Sequence, residues 1–340
     1  MRKALCIGIE NYAPGKQLAG CVNDACSIER ALKTHHDGSK NFEVQCLRAA
    51  RWESKPITAA KIREAIDKLF GEGEPEIALF FYSGHGAFDG KRGYLCPSDC
   101  QDIHAGVPMD YLIDAARESK AKNKIIILDC CHSGATGVDR FAEGISVVPD
   151  DTIIMAGCTM EGYSQEKNGS GVFTQLFVEA LNGADANILG VVTPGSIYAY
   201  IDKALGSYSY QRPVFKSNVK NFICLKKNKP PVEIDKLLLL PLYFSNPEFE
   251  FPLDPSYEED KKNLPEGADT TRNEEHEAIF KILRKYWQYG LVVPVGLPED
   301  KNYMYWAAVC STGCKLTALG KYYWKMIQNG IVNHDIITYL

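Results

Sequence analysis

Two short stretches of this chain could do chemistry together. The first sets His85 between Gly84 and Gly86 after an apolar run. The second sets Cys131 after Asp129 and Cys130, ahead of His132-Ser133-Gly134. A thiol and an imidazole delivered side by side are what cysteine-nucleophile catalysis needs. The thiolate attacks a carbonyl carbon, and the imidazole carries protons for the attack and for the departing amine. Flanking glycines let the backbone turn sharply and aim its N–H groups at a substrate oxygen. Taken alone, His85 reads more readily as a hydrogen-bonded structural histidine; the pairing with Cys131 and the glycines favours catalysis. Cys130 competes as nucleophile, and alternation along a strand lets only one of the two thiols face His85. His132 adjoins the thiol and reads as a residue that orients its loop.

Both stretches need strands that end at a common edge, because ligands in open α/β folds bind beyond the carboxyl ends of the strands. Residues 1–225 alternate strand and helix patterns. Strands are expected at 3–9, 42–47, 76–82, 124–129, 152–156 and 221–225. Helices are expected at 23–34, 58–70, 108–119, 172–181 and 194–205, with Asn23 and Thr58 as caps. That alternation describes an α/β domain, a mostly parallel sheet flanked by helices. His85 and Cys131 then fall in loops just past two of the strands. From Lys226 the texture changes. Residues 226–272 are rich in proline and acids around one apolar knot at 237–244, which reads as a linker and docking segment. In 273–340 a helix carrying Ile279, Leu283 and Trp287, a strand at 303–309 and a helix at 317–328 carrying Leu319, Tyr323 and Ile327 suggest a small winged-helix-like domain.

Composition narrows the function classes. At about 150 residues per domain, 340 residues make about two domains. A net charge of −5 argues against a body that binds nucleic acid, and 273–340 shows no basic stripe, so a regulatory protein partner is preferred there. The longest apolar runs, 125–128 and 237–240, are far too short for a membrane span, and Glu10 interrupts any signal-peptide core. With no export signal, the twelve cysteines read as cytoplasmic thiols rather than disulfides. Cys96 with Cys100, and Cys310 with Cys314, have no second pair at a zinc spacing and read as packing residues.

Tyr82-Ser83-Gly84-His85-Gly86 followed by Asp129-Cys130-Cys131-His132-Ser133-Gly134 resembles the paired signature of the metacaspases and their prokaryotic, orthocaspase-like relatives. Leu18-Ala19-Gly20-Cys21-Val22-Asn23-Asp24-Ala25, Tyr94-Leu95-Cys96-Pro97-Ser98-Asp99, Gly157-Cys158, Gly171-Val172-Phe173-Thr174 and Gln211-Arg212-Pro213 extend the likeness over 1–225. The resemblance implies a caspase-hemoglobinase-like fold and a cysteine endopeptidase acting on protein or peptide substrates, with no membrane partner. By position, Cys131 matches the nucleophile and His85 the general base and acid, while the backbone N–H groups of Gly86 and Cys131 match the oxyanion hole.

The family's first specificity pocket maps onto Asp24 and Asp129, with Ser83 and Cys21 beside them. Two carboxylates suit a guanidinium or an ammonium, so the implied cleavage is after Arg or Lys. Aspartate-cleaving caspases need arginines there, and the motif loops offer none. Asp24 also reads as a helix cap, and Asp129 as a buried structural acid. No cofactor is required; calcium activation through Asp99, Asp110 and Asp139 is implied by the family, with solvated loop acids as the alternative. A self-cleavage site in 137–151 would be Arg140. A silent scaffold of the same fold, working by partner binding, is the competing class; it has no need of His85, Cys131 or the two acids.

Overall fold

A run such as Ile125-Ile126-Ile127-Leu128 has no polar side to offer water, so it belongs between two layers. The computed structural model describes residues 1–12, 17–51, 55–132, 148–159, 166–167, 170–206, 211–260, 264, 271 and 273–336. In it that run is fully buried inside an eight-stranded sheet. In chain order the elements are β1 (Arg2–Ile9), α1 (Cys21–Lys33), β2 (Glu43–Ala49), α2 (Ala59–Gly71), β3 (Ile77–Phe88), β4 (Gly93–Leu95), β5 (Val107–Pro108), α3 (Met109–Glu118), β6 (Asn123–His132) and β7 (Thr152–Thr159). There follow β8 (Glu166–Lys167), β9 (Ser170–Gly171), α4 (Val172–Glu179), β10 (Val191–Val192), α5 (Pro194–Leu205), β11 (Gln211–Asn218) and β12 (Lys226–Lys227).

The sheet runs β11-β7-β6-β3-β1-β2, with β4 added to β3 and β5 to β4. β2, β1, β3, β6 and β7 are parallel, and β11 is antiparallel to β7. Period-two alternation sorts the core into two layers. Ala78, Phe80 and Tyr82 pack with Ile62 and Ile66 of α2 and Leu112 of α3. Ile77, Leu79 and Phe81 pack with Ile28 of α1, Phe173 and Phe177 of α4 and Ile197 of α5.

Several elements differ from the sequence expectation. β3 does not stop at 82, because Gly86, Ala87 and Phe88 pair with Leu95, Tyr94 and Gly93 of β4. β6 likewise continues to His132, in register with Gly86. His85 and Cys131 therefore stand on strand extensions, not on loops. α1 begins at Cys21, and Asn23 is not its cap; Gly20 is, with φ 96°. Strand 221–225 is replaced by β11, which contains Pro213. A proline argues against a central strand but is tolerated at an edge, where β11 lies.

Residues 187–190 and 229–340 form a second compact unit. The described part of the expected linker contributes buried Leu237, Leu240 and Phe244 and a strand, Glu250–Pro252, to it. That strand pairs with Gly313–Leu316, which pairs with Val292–Val295. Where the sequence suggested a winged-helix-like domain, the order is helix Glu274–Gln288, strand, short helix Met304–Val309, strand, helix Ala318–Gln328. The expected strand at 303–309 is thus a helix, a short apolar run being ambiguous between the two. On the first of these helices the buried stripe is Phe280, Leu283 and Tyr286 rather than 279, 283 and 287, and on the last helix Leu319 is exposed. Among the described residues no helix is long and apolar enough to cross a membrane.

Candidate active site

At the carboxyl ends of the central strands, the β3/β6 register sets Ser83 against Asp129, Gly84 against Cys130 and His85 against Cys131. The two residues suited to thiol chemistry are therefore lateral neighbours on adjacent strands. Their order along the chain reveals nothing of this, since 46 positions separate them. Cys130, one position off, packs against the α2/α3 core layer. Gly86 pairs with His132 on one side and Leu95 on the other.

Two tyrosines hold the His85 backbone. The Tyr12 hydroxyl accepts from the His85 N–H at 2.9 Å, and the Tyr82 hydroxyl donates to the His85 carbonyl at 2.8 Å. The Cys96 N–H reaches the same carbonyl at 3.0 Å. The Tyr12 ring centroid lies 4.5 Å from that of the imidazole, inclined by 52°. Burial pushes both phenols well above their usual range, so they remain protonated hydrogen-bonding groups. Glycine at 84 is a requirement of close approach, because a β-carbon there would stand 2.7 Å from both phenol oxygens. Sequence reasoning quoted Tyr82 only inside a motif and missed Tyr12; no periodicity marks a phenol that bonds a distant backbone.

The acids converge as well. Asp24 and Asp129 are 2% and 6% exposed, deep enough that unpaired charges would be costly. Ser83 Oγ donates to Asp24 Oδ2 at 3.0 Å, and the Gly171 N–H donates to Asp24 Oδ1 at 3.1 Å. Thr174 Oγ1 donates to Asp129 Oδ2 at 2.6 Å. A β-carbon on Gly171 would stand 2.5 Å from Asp129 Oδ2 and 3.4 Å from Asp24 Oδ2, so both carboxylates abut that one glycine. Gly171 caps α4, and Thr174 lies in its first turn, an end of a helix that favours negative charge. Thr174 lies in the motif at 171–174, and no local pattern marks its bond to an acid 45 positions away.

Asp24 is placed by a second device. The Glu10 carboxylate accepts from the Gly20 and Val22 N–H groups at 2.9 and 3.1 Å, tying the start of α1 to the end of β1. A β-carbon on Gly8 would stand 2.3 Å from the Cys21 carbonyl oxygen, so glycine there lets α1 lie close against β1. Cys21, the first residue of α1, is buried at this junction.

The proposed calcium acids fare differently. Asp99 is exposed, and Asp110 is engaged by Arg92, Nε to Oδ2 at 3.3 Å. Among the described residues neither belongs to a group of three His, Cys, Asp or Glu side chains close enough to share an ion. Asp139, Arg140, Ser133, Gly134 and the Cys131 side chain lie outside the described residues.

Comparison with known proteins follows the same boundaries. The sequence profile of the caspase domain matches residues 1–222. Metacaspase-1 of Cryptococcus neoformans is 33% identical over 144 residues, covering 39% of this chain and 32% of that protein. Metacaspase-1 of Schizosaccharomyces pombe is 31% identical over 150 residues, covering 39% and 34%. Metacaspase-1 of Plasmodium falciparum is 31% identical over 153 residues, covering 40% and 24%. The chain thus spans about a third or less of the length of these relatives. A solved structure from Geobacter sulfurreducens superposes with a TM-score of 0.47 at 20% identity, over 68% of this chain and 98% of its own.

Proposed function

Because this chain belongs to the caspase domain family of cysteine peptidases, we propose that it is an endopeptidase that cleaves after Arg or Lys through a Cys131 thioester. The observation that carries the reading is the buried Asp24–Ser83–Asp129 group beside the register-paired His85 and Cys131. A substrate guanidinium entering between the two carboxylates would be drawn by both, and a planar fork suits that arrangement better than an ammonium. An acidic side chain would meet like charge instead.

In the proposed sequence, His85 takes the Cys131 thiol proton as the sulfur attacks the scissile carbonyl carbon. The backbone N–H groups of Gly86 and Cys131 stabilise the oxyanion. As the carbon–nitrogen bond breaks, His85 gives the proton to the departing amine and the thioester remains. Water, deprotonated by His85, then hydrolyses the thioester and restores the thiol. Tyr12 and Tyr82 act through His85 by fixing its backbone. A free thiol in this role calls for a reducing, cytoplasmic setting.

The test is a peptide panel with either Arg, Lys or Asp before the scissile bond. Arg peptides should be cleaved best, and Cys131→Ala should abolish turnover. Cleavage of Asp peptides in preference to Arg peptides would overturn the specificity. Self-cleavage after Arg140, a regulatory protein partner for 273–340 and calcium activation are separate proposals. Unchanged rates under chelation would reject the last of them.

A further inference from the structure

α1 and the edge strand β2 bring together three side chains that the proposed chemistry does not use. Cys26 and Glu29 lie one turn apart on α1, and Cys46 lies on β2, in register with Cys6 of β1. The two sulfurs and a Glu29 carboxylate oxygen all lie within 4.8 Å of one another, and each residue is half-buried. We propose that Cys26, Glu29 and Cys46 form a three-ligand site for a borderline-soft divalent cation of the zinc class, with solvent in the fourth position.

Ligand chemistry selects the ion. Two thiols and one carboxylate match the sulfur and oxygen donors of tetrahedral zinc, whereas calcium and magnesium take oxygen. Donors at about 2.0 to 2.3 Å from one ion sit roughly 3.5 Å apart, so atoms within 4.8 Å of one another close by no more than about 1.3 Å to share it. Its position on a helix and a strand, rather than a loop, supplies the rigidity. Three anionic ligands around a divalent ion leave one net negative charge, and two cations stand ready to offset it. Arg48 donates to Cys26 Sγ at 3.6 Å, and Lys33 pairs with Glu29 at 2.8 Å.

The same surroundings act on the thiols. Burial first, then the charge of Glu29, pushes the Cys46 thiol up to about 12, against the opposing pull of Arg48. Cys26 on α1 and Cys6 on β1 are its other titratable neighbours, and burial holds the Cys6 thiol protonated.

The test uses the full-length chain carrying Cys131→Ala, so that the proposed nucleophile contributes nothing. Titration with Cd²⁺ should produce a thiolate-to-metal charge-transfer band that saturates at one ion per chain, and Zn²⁺ should compete for it. Adding Cys26→Ser and Cys46→Ser should remove the band together with the rise in melting temperature that Zn²⁺ causes. Glu29→Gln alone should weaken binding by roughly 10-fold or more. Absence of a saturating ion in the Cys131→Ala chain, or an unchanged band in the triple variant, would overturn the site. If the triple variant does not fold, Glu29→Gln decides: unchanged affinity there is equally fatal.

Discussion

The molecule holds two sets of aspartates that look alike in the sequence and differ completely in space. Asp24 and Asp129 are buried at the strand ends, where Ser83, Gly171 and Thr174 donate to them. Asp99 and Asp110 lie on the surface, and Asp110 meets an equally exposed Arg92. An exposed ion pair contributes roughly 0 to 1 kcal/mol and is screened by salt. A buried carboxylate persists only where its surroundings compensate for lost water, and its field acts at short range through a less polar medium. The first pair thus has its charge met by buried donors, and the second by water and an exposed guanidinium.

Replacing Asp24 or Asp129 by Asn should give the largest effect. Loss of one buried charge against a substrate guanidinium predicts a fall in kcat/KM for Arg peptides of about 10²- to 10³-fold, or about 2.7 to 4.1 kcal/mol. Asp110→Asn treated identically marks the contrast. Equal losses in the two steady-state measurements would erase the distinction between the pairs.

Gly171→Ala should come next. Its β-carbon would press on Asp129 Oδ2, and overpacking of this kind costs about 1 to 3 kcal/mol. A lower melting temperature and a roughly 10-fold lower kcat/KM are expected. Unaltered values in both would mean that the carboxylates have room to retreat.

Thr174→Val keeps the shape and removes the 2.6 Å hydrogen bond to Asp129. An acceptor left short of a donor costs about 1 to 3 kcal/mol, so stability should fall in denaturant titration while activity drops only a few-fold. An activity loss as large as that of Asp129→Asn would make Thr174 part of recognition rather than support. The smallest effect belongs to Asp110→Asn, expected within about 0.5 kcal/mol of the parent in stability and, under chelation, unchanged in rate. A clear decline there would show that the surface acid does more than face water.

How much of this was legible depends on the range of the interaction. The strand at 124–129 and the helix at 58–70 are legible locally, because burial imposes a period that local sequence records. The ends of β3 and β6 are not legible locally, since the pairing that extends them comes from β4 and from each other. Glu10 looked like a polar interruption; its role in tying down the start of α1 depends on Gly20 and Val22 coming back to it. The Cys26–Glu29–Cys46 group had no signature at all, because a helix and a strand contribute to it at an unremarkable spacing.

By itself the sequence determined the alternation of strands and helices, the family and the residue types available for chemistry. These follow from local periodicity and from short motifs, which need no knowledge of distant neighbours. Only the tertiary structure decided which residues meet. The parallel register put position 131 beside His85, the packing of α1 on β1 brought Asp24 to Ser83, and the start of α4 drew Asp129 to the same glycine. Register and packing are settled by contacts across the sheet, where the free energy of burial is gained all at once, and no single stretch of chain contains that information.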